Sequence, residues 1–272
     1  MFGAIIGDIV GSIYEWNNIK TKDFPFFGSN CTFTDDSVMT CAVAHAFLKA
    51  GTESEDKFTK QLVDSMQLFG RAYPHRGYGP RFEDWLMSSQ PRPYNSFGNG
   101  SAMRVSPAAY TGASLEEVIE HARWTALVSH DHPEGIKGAQ CAAAVIFMAL
   151  RGADNMEISE LVTGRFGYDL SRSLDEIRPG HEFDVSCMGT LPTAVTAFLE
   201  AESFEDAVRN AISVGGDSDT LAAISGSMAQ ARFGIPDDIR KQAENLLDEP
   251  LLDLCREFED RIISRRLWEQ GM

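Results

Sequence analysis

The stretch Gly215-Gly216-Asp217-Ser218-Asp219-Thr220 joins two glycines to two carboxylates one residue apart and two hydroxyls. It runs into residues 221 to 231, a segment rich in Ala, Ser and Gly that reads as a small-residue helix. Glycines let the backbone turn with positive φ, so the oxygens that follow can converge on one point. Oxygen-only donors suit a hard divalent cation such as Mg²⁺ or Mn²⁺, not zinc. A helix N-terminus carries partial positive charge, which opposes a cation, so further carboxylates are required. Thr34-Asp35-Asp36-Ser37 supplies them, again just ahead of an apolar helical run. Asp and Thr before a helix also serve as N-caps. Capping needs one side-chain oxygen per helix, however, and these two stretches hold four carboxylates. Capping and a paired-metal site are thus the two readings of the residues.

Working outward, helical periodicity dominates. Residues 38 to 49 are apolar nearly all round and read as a buried helix. Phe58, Leu62, Met66 and Phe69 repeat at helical spacing, and Ser114-x-x-Glu117 has the form of a capping box. Residues 139 to 150, 193 to 200 and 204 to 212 read as further helices, Pro236 suits the first turn of another, and 248 to 267 read as a charged terminal helix. No alternating strand pattern stands out, so the class is all-α, with residues 1–272 forming one domain. Glycines at 3, 7 and 11 place a small stripe on one helix face, a mark of close helix packing. Asp8 and Glu15 stand among apolar neighbours there, either exposed at a helix end or facing a polar cavity. Residues 70 to 112, with Arg71, Arg76, Arg81, Arg92 and Arg104 among glycines, prolines and aromatics, read as a long irregular segment, which is usually functional or disordered. Its aromatics argue against disorder.

Composition narrows the function. The formal net charge of −16 repels polyanions and argues against general nucleic-acid binding. No run of 18 apolar residues marks a membrane span, and no basic segment precedes the short apolar N-terminus. Five cysteines without C-x-x-C spacing read as reduced thiols of a cytoplasmic protein. A monomer is expected. Gly98-Asn99-Gly100-Ser101-Ala102-Met103-Arg104 could turn backbone N–H groups toward an anion with help from the Ser101 hydroxyl, or be an ordinary turn. His130 and His132, in Ser129-His130-Asp131-His132-Pro133, suit hydrogen bonding or stacking better than metal ligation, since no Cys or third His lies at suitable spacing. His45, His121 and His181 read as ordinary. Serine lacks a G-x-S-x-G elbow, so nucleophilic catalysis is not favoured.

In order along the chain, these blocks resemble the ADP-ribosylglycohydrolase family, of the dinitrogenase-reductase-activating type. The resemblance rests on G-D-x-x-G-x-x-x-E at Gly7 to Glu15, T-D-D at Thr34 to Asp36 and R-G-Y-G at Arg76 to Gly79. It continues through G-N-G-S-A-M-R at Gly98 to Arg104, S-H-x-H-P at Ser129 to Pro133 and G-G-D-S-D-T at Gly215 to Thr220. It implies a compact orthogonal helical bundle and two Mg²⁺ or Mn²⁺ ions held by Thr34, Asp35, Asp36, Asp217, Asp219 and Thr220, with Glu15 as the catalytic carboxylate. It further implies a substrate-binding set of Gly79, Gly98, Asn99, Gly100, Ser101, Met103 and His130 around ADP-ribose. The implied partner is an ADP-ribosylated protein, arginine-linked in the first place, with free ADP-ribose as product. The alternatives are serine linkage, a two-metal nucleotide pyrophosphohydrolase, and a non-catalytic relative. Asp84 and Asp131 are candidates for an acidic rim that favours a cationic acceptor.

Overall fold

The computed structural model describes residues 1–264. Among these it contains helices and an isolated antiparallel bridge, Gly98 to Ser186, but no strand. The first helices are α1 (Phe2–Gly11), α2 (Asp35–Ala50), α3 (Glu55–Ala72), α4 (Pro80–Met87) and α5 (Gly100–Met103). The middle of the chain forms α6 (Leu115–Leu127), α7 (Pro133–Leu150), α8 (Asn155–Glu160), α9 (Leu174–Ile177) and α10 (Cys187–Leu199). The last are α11 (Phe204–Ile212), α12 (Ser218–Phe233), α13 (Asp237–Glu244) and α14 (Glu249–Phe258). The expected terminal helix is thus α14, followed by a π-helical turn, Glu259–Ile263; its residues beyond 264 lie outside the described part.

The centre of the molecule is the pair α1 and α12. Every residue of α1 is buried, which a surface helix could not sustain. The glycine stripe accounts for it. A Cβ at Gly3 would strike the Gly226 carbonyl, one at Gly7 the Ala222 carbonyl, and one at Gly11 the Asp219 backbone. Backbone therefore meets backbone along the whole contact, and the N-terminus of α12 is pinned beside the C-terminal end of α1. Helices α2, α7, α10 and α11 close round this pair with Val38, Met39, Val145, Ile146, Leu191, Phe198 and Val208, all fully buried.

Side-chain caps fix where the outer helices begin. Ser54, Ser203 and Asp248 accept from Lys57, Asp206 and Leu251 N–H groups at their helix starts, each worth about 1 kcal/mol. At α6 only half of the expected capping box forms. Ser114 accepts from Glu117 N at 3.2 Å, but the Glu117 carboxylate takes the Ala113 N–H in place of that of Ser114. Pro236 sits at the N-cap of α13, one place ahead of its expected first turn.

The segment 70–112 departs most from the sequence reading. It holds the end of α3, all of α4 and α5, and a 3₁₀ turn, Ser106–Tyr110. Its arginines organise the links between them. Arg71 donates to the carbonyls of Leu86 and Ser88, Arg81 to that of Tyr94, and Arg76 to that of Phe33. All five cysteines are buried and free. No helix among the described residues is long and apolar enough to cross a membrane.

Candidate metal centre and active site

Helix α2 shows first why its acids are not caps. The N–H groups at its start all have other partners. Thr34 N donates to Asp8 Oδ2 at 2.9 Å, Asp35 N to the Arg76 carbonyl at 2.8 Å, Asp36 N to Thr34 Oγ1 at 3.4 Å and Ser37 N to Asp8 Oδ2 at 3.0 Å. The Thr34 and Ser37 hydroxyls also donate to Asp8. Asp8, from the middle of α1, therefore caps α2 from outside, and the carboxylates of Asp35 and Asp36 are left for something else. Helix α12 repeats the lesson. Asp217 occupies its N-cap position but makes no capping bond; its Oδ2 accepts from Asn99 Nδ2 at 2.6 Å.

The two stretches, far apart in sequence, meet. Thr220 Oγ1 donates to Asp36 Oδ2 at 3.2 Å, and the Thr220 N–H donates to Asp219 Oδ1 at 3.0 Å. Asp8, Asp36 and Asp219 form one group whose carboxylate oxygens lie within 4.8 Å of one another, and Glu15, Asp217 and Asp219 form a second. Asp219 belongs to both. Asp35 belongs to neither, although it is close enough for the charges of Asp8 and Asp217 to act on it, and its Oδ1 faces Gly77 of the R-G-Y-G turn. Asp8, marked in the sequence as an acid among apolar neighbours but left out of the expected ligand set, joins the first group.

Electrostatics make this knot unstable without a counter-charge. Burial, then the negative charges of its neighbours, pushes Asp35, Asp36 and Asp219 well above the ordinary carboxylate range. Burial likewise raises Asp8 and Asp217, against the hydrogen bonds each accepts. None of the ion pairs among the described residues involves these carboxylates. The buried atoms Asp36 Oδ1 and Ser218 Oγ have no hydrogen-bond partner. Converging oxygens, an orphaned carboxylate oxygen and uncompensated charge fit a hard divalent cation.

Glu15 lies just past α1 and is half-buried. Burial and the charge of Asp217 push it up to about 7, against a hydrogen bond from Trp16. Asn18 ties this segment to the glycine turn: its Nδ2 donates to the carbonyls of Glu15 and Gly216 at 2.9 Å, and its Oδ1 accepts from Gly216 N at 2.8 Å. Gly215 and Gly216 have φ of 73° and 76°, the left-handed turn expected of them. His181, read from sequence as ordinary, packs against Gly216. Nothing in the sequence marked Asn18 beyond a polar loop.

The second half of the site is the Gly98–Arg104 segment. Gly98 N donates to Ser96 Oγ and Asn99 N to the Val185 carbonyl, so these two N–H groups are engaged within the chain. Ser101 is fully buried and its hydroxyl donates to the Gly135 carbonyl at 2.7 Å, a structural role in place of the anion contact expected of it. Met103 is buried, and Gly79 caps α4 with open space where a side chain would stand. His130 packs under the loop, its Nε2 nearest the Cα hydrogens of Gly100 and Gly98. Burial and the nearby Arg104 charge hold its pKa well below the ordinary value, so the ring is neutral. Arg104 Nη2 donates to Ser129 Oγ at 2.8 Å, and that hydroxyl lies 2.8 Å from His130 Nδ1. Nδ1 is thereby the acceptor, which leaves the proton on Nε2, facing the loop. His132 caps α7 through Nδ1 and packs against Phe97, the hydrogen-bonding and stacking role its spacing suggested. Asp131 ties the loop by accepting from Asn95 N.

An all-α protein whose helix N-termini converge on an oxygen-only acidic centre, beside a glycine loop, defines a narrow class. Residues 1–269 match the family described as ADP-ribosylglycohydrolase. ADP-ribosylhydrolase ARH3 of Mus musculus is 26% identical over 342 residues, covering 95% of this chain and 90% of that protein. ADP-ribosylarginine hydrolase Tri1 of Pseudomonas putida (strain GB-1) is 26% identical over 294 residues, covering 96% of this chain and 77% of that protein. A solved ADP-ribosylglycohydrolase-related protein complex matches with a TM-score of 0.68 at 26% identity, covering 94% of this chain and 95% of that one. The chain belongs to the ADP-ribosylglycohydrolase family and is a hydrolase of that family.

Proposed function

We propose that the protein removes mono-ADP-ribose from protein side chains, arginine-linked in preference, and releases free ADP-ribose with the help of two Mg²⁺ or Mn²⁺ ions. The observation that carries this reading is the second carboxylate group, which brings Glu15 within 4.8 Å of Asp217 and Asp219. Asp36, Asp217 and Asp219 would hold the ions, with Thr34, Asp35 and Thr220 at the same helix starts. Asp8 belongs to the same centre. When bound, the ions supply the positive charge that orients the ribose diol and a water. Glu15 is the proton-transfer group: water adds to the anomeric carbon, the glycosidic bond breaks, and the departing nitrogen takes the proton. Gly98 and Gly100 would carry the pyrophosphate over the loop that His130 supports from beneath, and Asn99 holds Asp217 in place. The name of the Tri1 relative supports arginine as the acceptor.

The test is product analysis on a defined arginine-linked ADP-ribosyl peptide. Free ADP-ribose is expected; AMP would mean cleavage of the pyrophosphate instead. In the same assay Glu15→Gln should slow release by about 10²–10⁴-fold while ADP-ribose affinity, measured by calorimetry, stays near that of the wild type. Near-normal turnover of that variant would remove Glu15 from the chemistry.

A further inference from the structure

Trp16 is 76% exposed and Phe183 45% exposed, yet the two rings stack on each other with centroids 5.2 Å apart and planes 23° from parallel. Exposing so much indole forgoes burial that would favour folding. Its position is informative. Trp16 follows Glu15 directly and hydrogen-bonds toward its carboxylate. Phe183 comes from the loop 181–186, whose His181 ring and Glu182 carbonyl lie against Gly216 and whose Val185 carbonyl accepts from Asn99 N. The stack therefore bridges the Glu15 segment and the turn that presents Asp217, at the open edge of the acidic centre. Glu182 and Asp184 flank Phe183 in sequence, and Asp184 is close enough for its charge to act on Asp217. The nearby cations are engaged within the chain: Lys20 by the carbonyls of Val214 and His181, Arg178 by Ser213 and Asp175, and Arg172 by the Glu176 carbonyl. An open aromatic face next to the Glu15 carboxylate is the chemistry that recognises an organic cation.

We propose that Trp16, braced by Phe183, is a specificity-determining residue on the acceptor side: its exposed face takes the guanidinium of an ADP-ribosylated arginine. The inference rests on the proposed glycohydrolase reading and adds the residue that selects the linkage. Cleavage puts the hydroxyl of water on the anomeric carbon and its remaining proton on the leaving nitrogen, so arginine departs as a guanidinium and stays a cation throughout. A serine-linked acceptor carries no such charge and gains nothing from the face.

The experiment compares wild type, Trp16→Ala, Trp16→Phe and Phe183→Ala on arginine-linked and serine-linked ADP-ribosyl peptides of otherwise one sequence, with ADP-ribose affinity measured in parallel. Trp16→Ala should lose about 10-fold in kcat/KM on the arginine-linked peptide and far less on the serine-linked one, with ADP-ribose affinity unchanged. Trp16→Phe, which keeps a π face and loses the indole N–H, should retain most of the discrimination, and Phe183→Ala should fall between. Equal losses on both peptides, or a Trp16→Phe variant as impaired as Trp16→Ala, would overturn the proposal, because the residue would then act only through Glu15. A wild type that cleaves the serine-linked peptide alone overturns it while leaving ADP-ribose hydrolysis standing. Release of AMP from both peptides overturns that broader reading as well.

Discussion

The molecule buries two charged clusters of opposite sign, and neither neutralises the other. At the ends of α1, α2 and α12, Asp8, Asp36, Asp217 and Asp219 are buried without an ion-pair partner among the described residues. Beneath the glycine loop, Arg104 is 1% exposed, and its hydrogen bonds run to Ser129, Thr125 and His130, all neutral; its Nε has no partner. Burial pulls its guanidinium down to about 10. Buried charges ordinarily find each other, since an unpaired one costs several kcal/mol. Here the acids are met only by neutral donors, such as Asn99, which donates to Asp217 and Thr190. The difference teaches that burial leaves both charges without a counter-charge inside the chain, which under the proposed function is met by cations at the first and by a pyrophosphate near the second. A chain of net charge −16 could not otherwise admit an anionic substrate.

The sharpest way to break this comparison is Asp219→Asn, because Asp219 alone belongs to both carboxylate groups. Turnover should fall about 10³-fold or more, the equivalent of several kcal/mol of lost charge stabilisation. Stability gives an independent readout with a definite sign. Without divalent ions the variant should melt above the wild type, since one of the mutually repelling carboxylates is gone. With Mn²⁺ or Mg²⁺ added, the wild type should gain Tm by mass action and the variant should not. A variant that both turned over and gained Tm with Mn²⁺ would mean that Asp219 is not a ligand of the ions.

The opposite cluster is tested by Arg104→Met, which keeps bulk and removes the charge. The Arg104–Ser129–His130 chain then loses its first donor, and His130 is free to carry its proton on Nδ1. Hydrogen bonds to charged groups are worth about 1.5–3 kcal/mol; because Arg104 acts through His130, the expected loss of ADP-ribose affinity is at the lower end, about 10-fold. The Mn²⁺-induced rise in Tm should survive, and Arg104→Lys should recover part of the affinity. Loss of the metal response together with affinity would show that the two clusters are one structural unit and not two.

How much of this the sequence disclosed follows from the kind of signal each part leaves. The all-α class was plain, because amphipathic periodicity repeats over many turns, and close packing of the first helix was visible as Gly3, Gly7 and Gly11, though not its partner α12. The acidic stretches were legible because carboxylates before a helix exceed what capping uses. What the sequence did not separate was Asp35 from Asp36. Their neighbourhood depends on the helix's rotation about its axis, which the Arg76 carbonyl and Asp8 set from distant parts of the chain. Segment 70–112 looked irregular because α4 and α5 are too short to show a period. Ser101 was read as an anion donor because a loop motif names residues without saying which way a hydroxyl points; the Gly135 carbonyl decides that.

The smallest expected effect asks whether His130 truly defines the floor of the loop. Neither Gly98 nor Gly100 has a positive φ, so alanine is conformationally allowed at both. A Cβ at Gly100 would lie 3.1 Å from His130 Nε2, too close for carbon against a ring nitrogen, and the buried ring has little room to retreat. At Gly98 the same atom would lie 3.6 Å away, in ordinary contact, and the nearest group is Ser96 Oγ at 3.3 Å, a part-buried side chain that has to give by only a few tenths of an ångström. Gly100→Ala should therefore weaken ADP-ribose binding modestly, about 3–10-fold, or roughly the 1–3 kcal/mol range of overpacking at its low end, while Gly98→Ala stays near the wild type. Calorimetric titration with ADP-ribose, with Mn²⁺ present at saturation, reads both. If the two variants lose affinity equally, what matters is the thinness of the loop itself, and His130 is a bystander beneath it. If neither loses any, the pyrophosphate does not pass over this loop, and the buried Arg104 charge must be explained by packing alone.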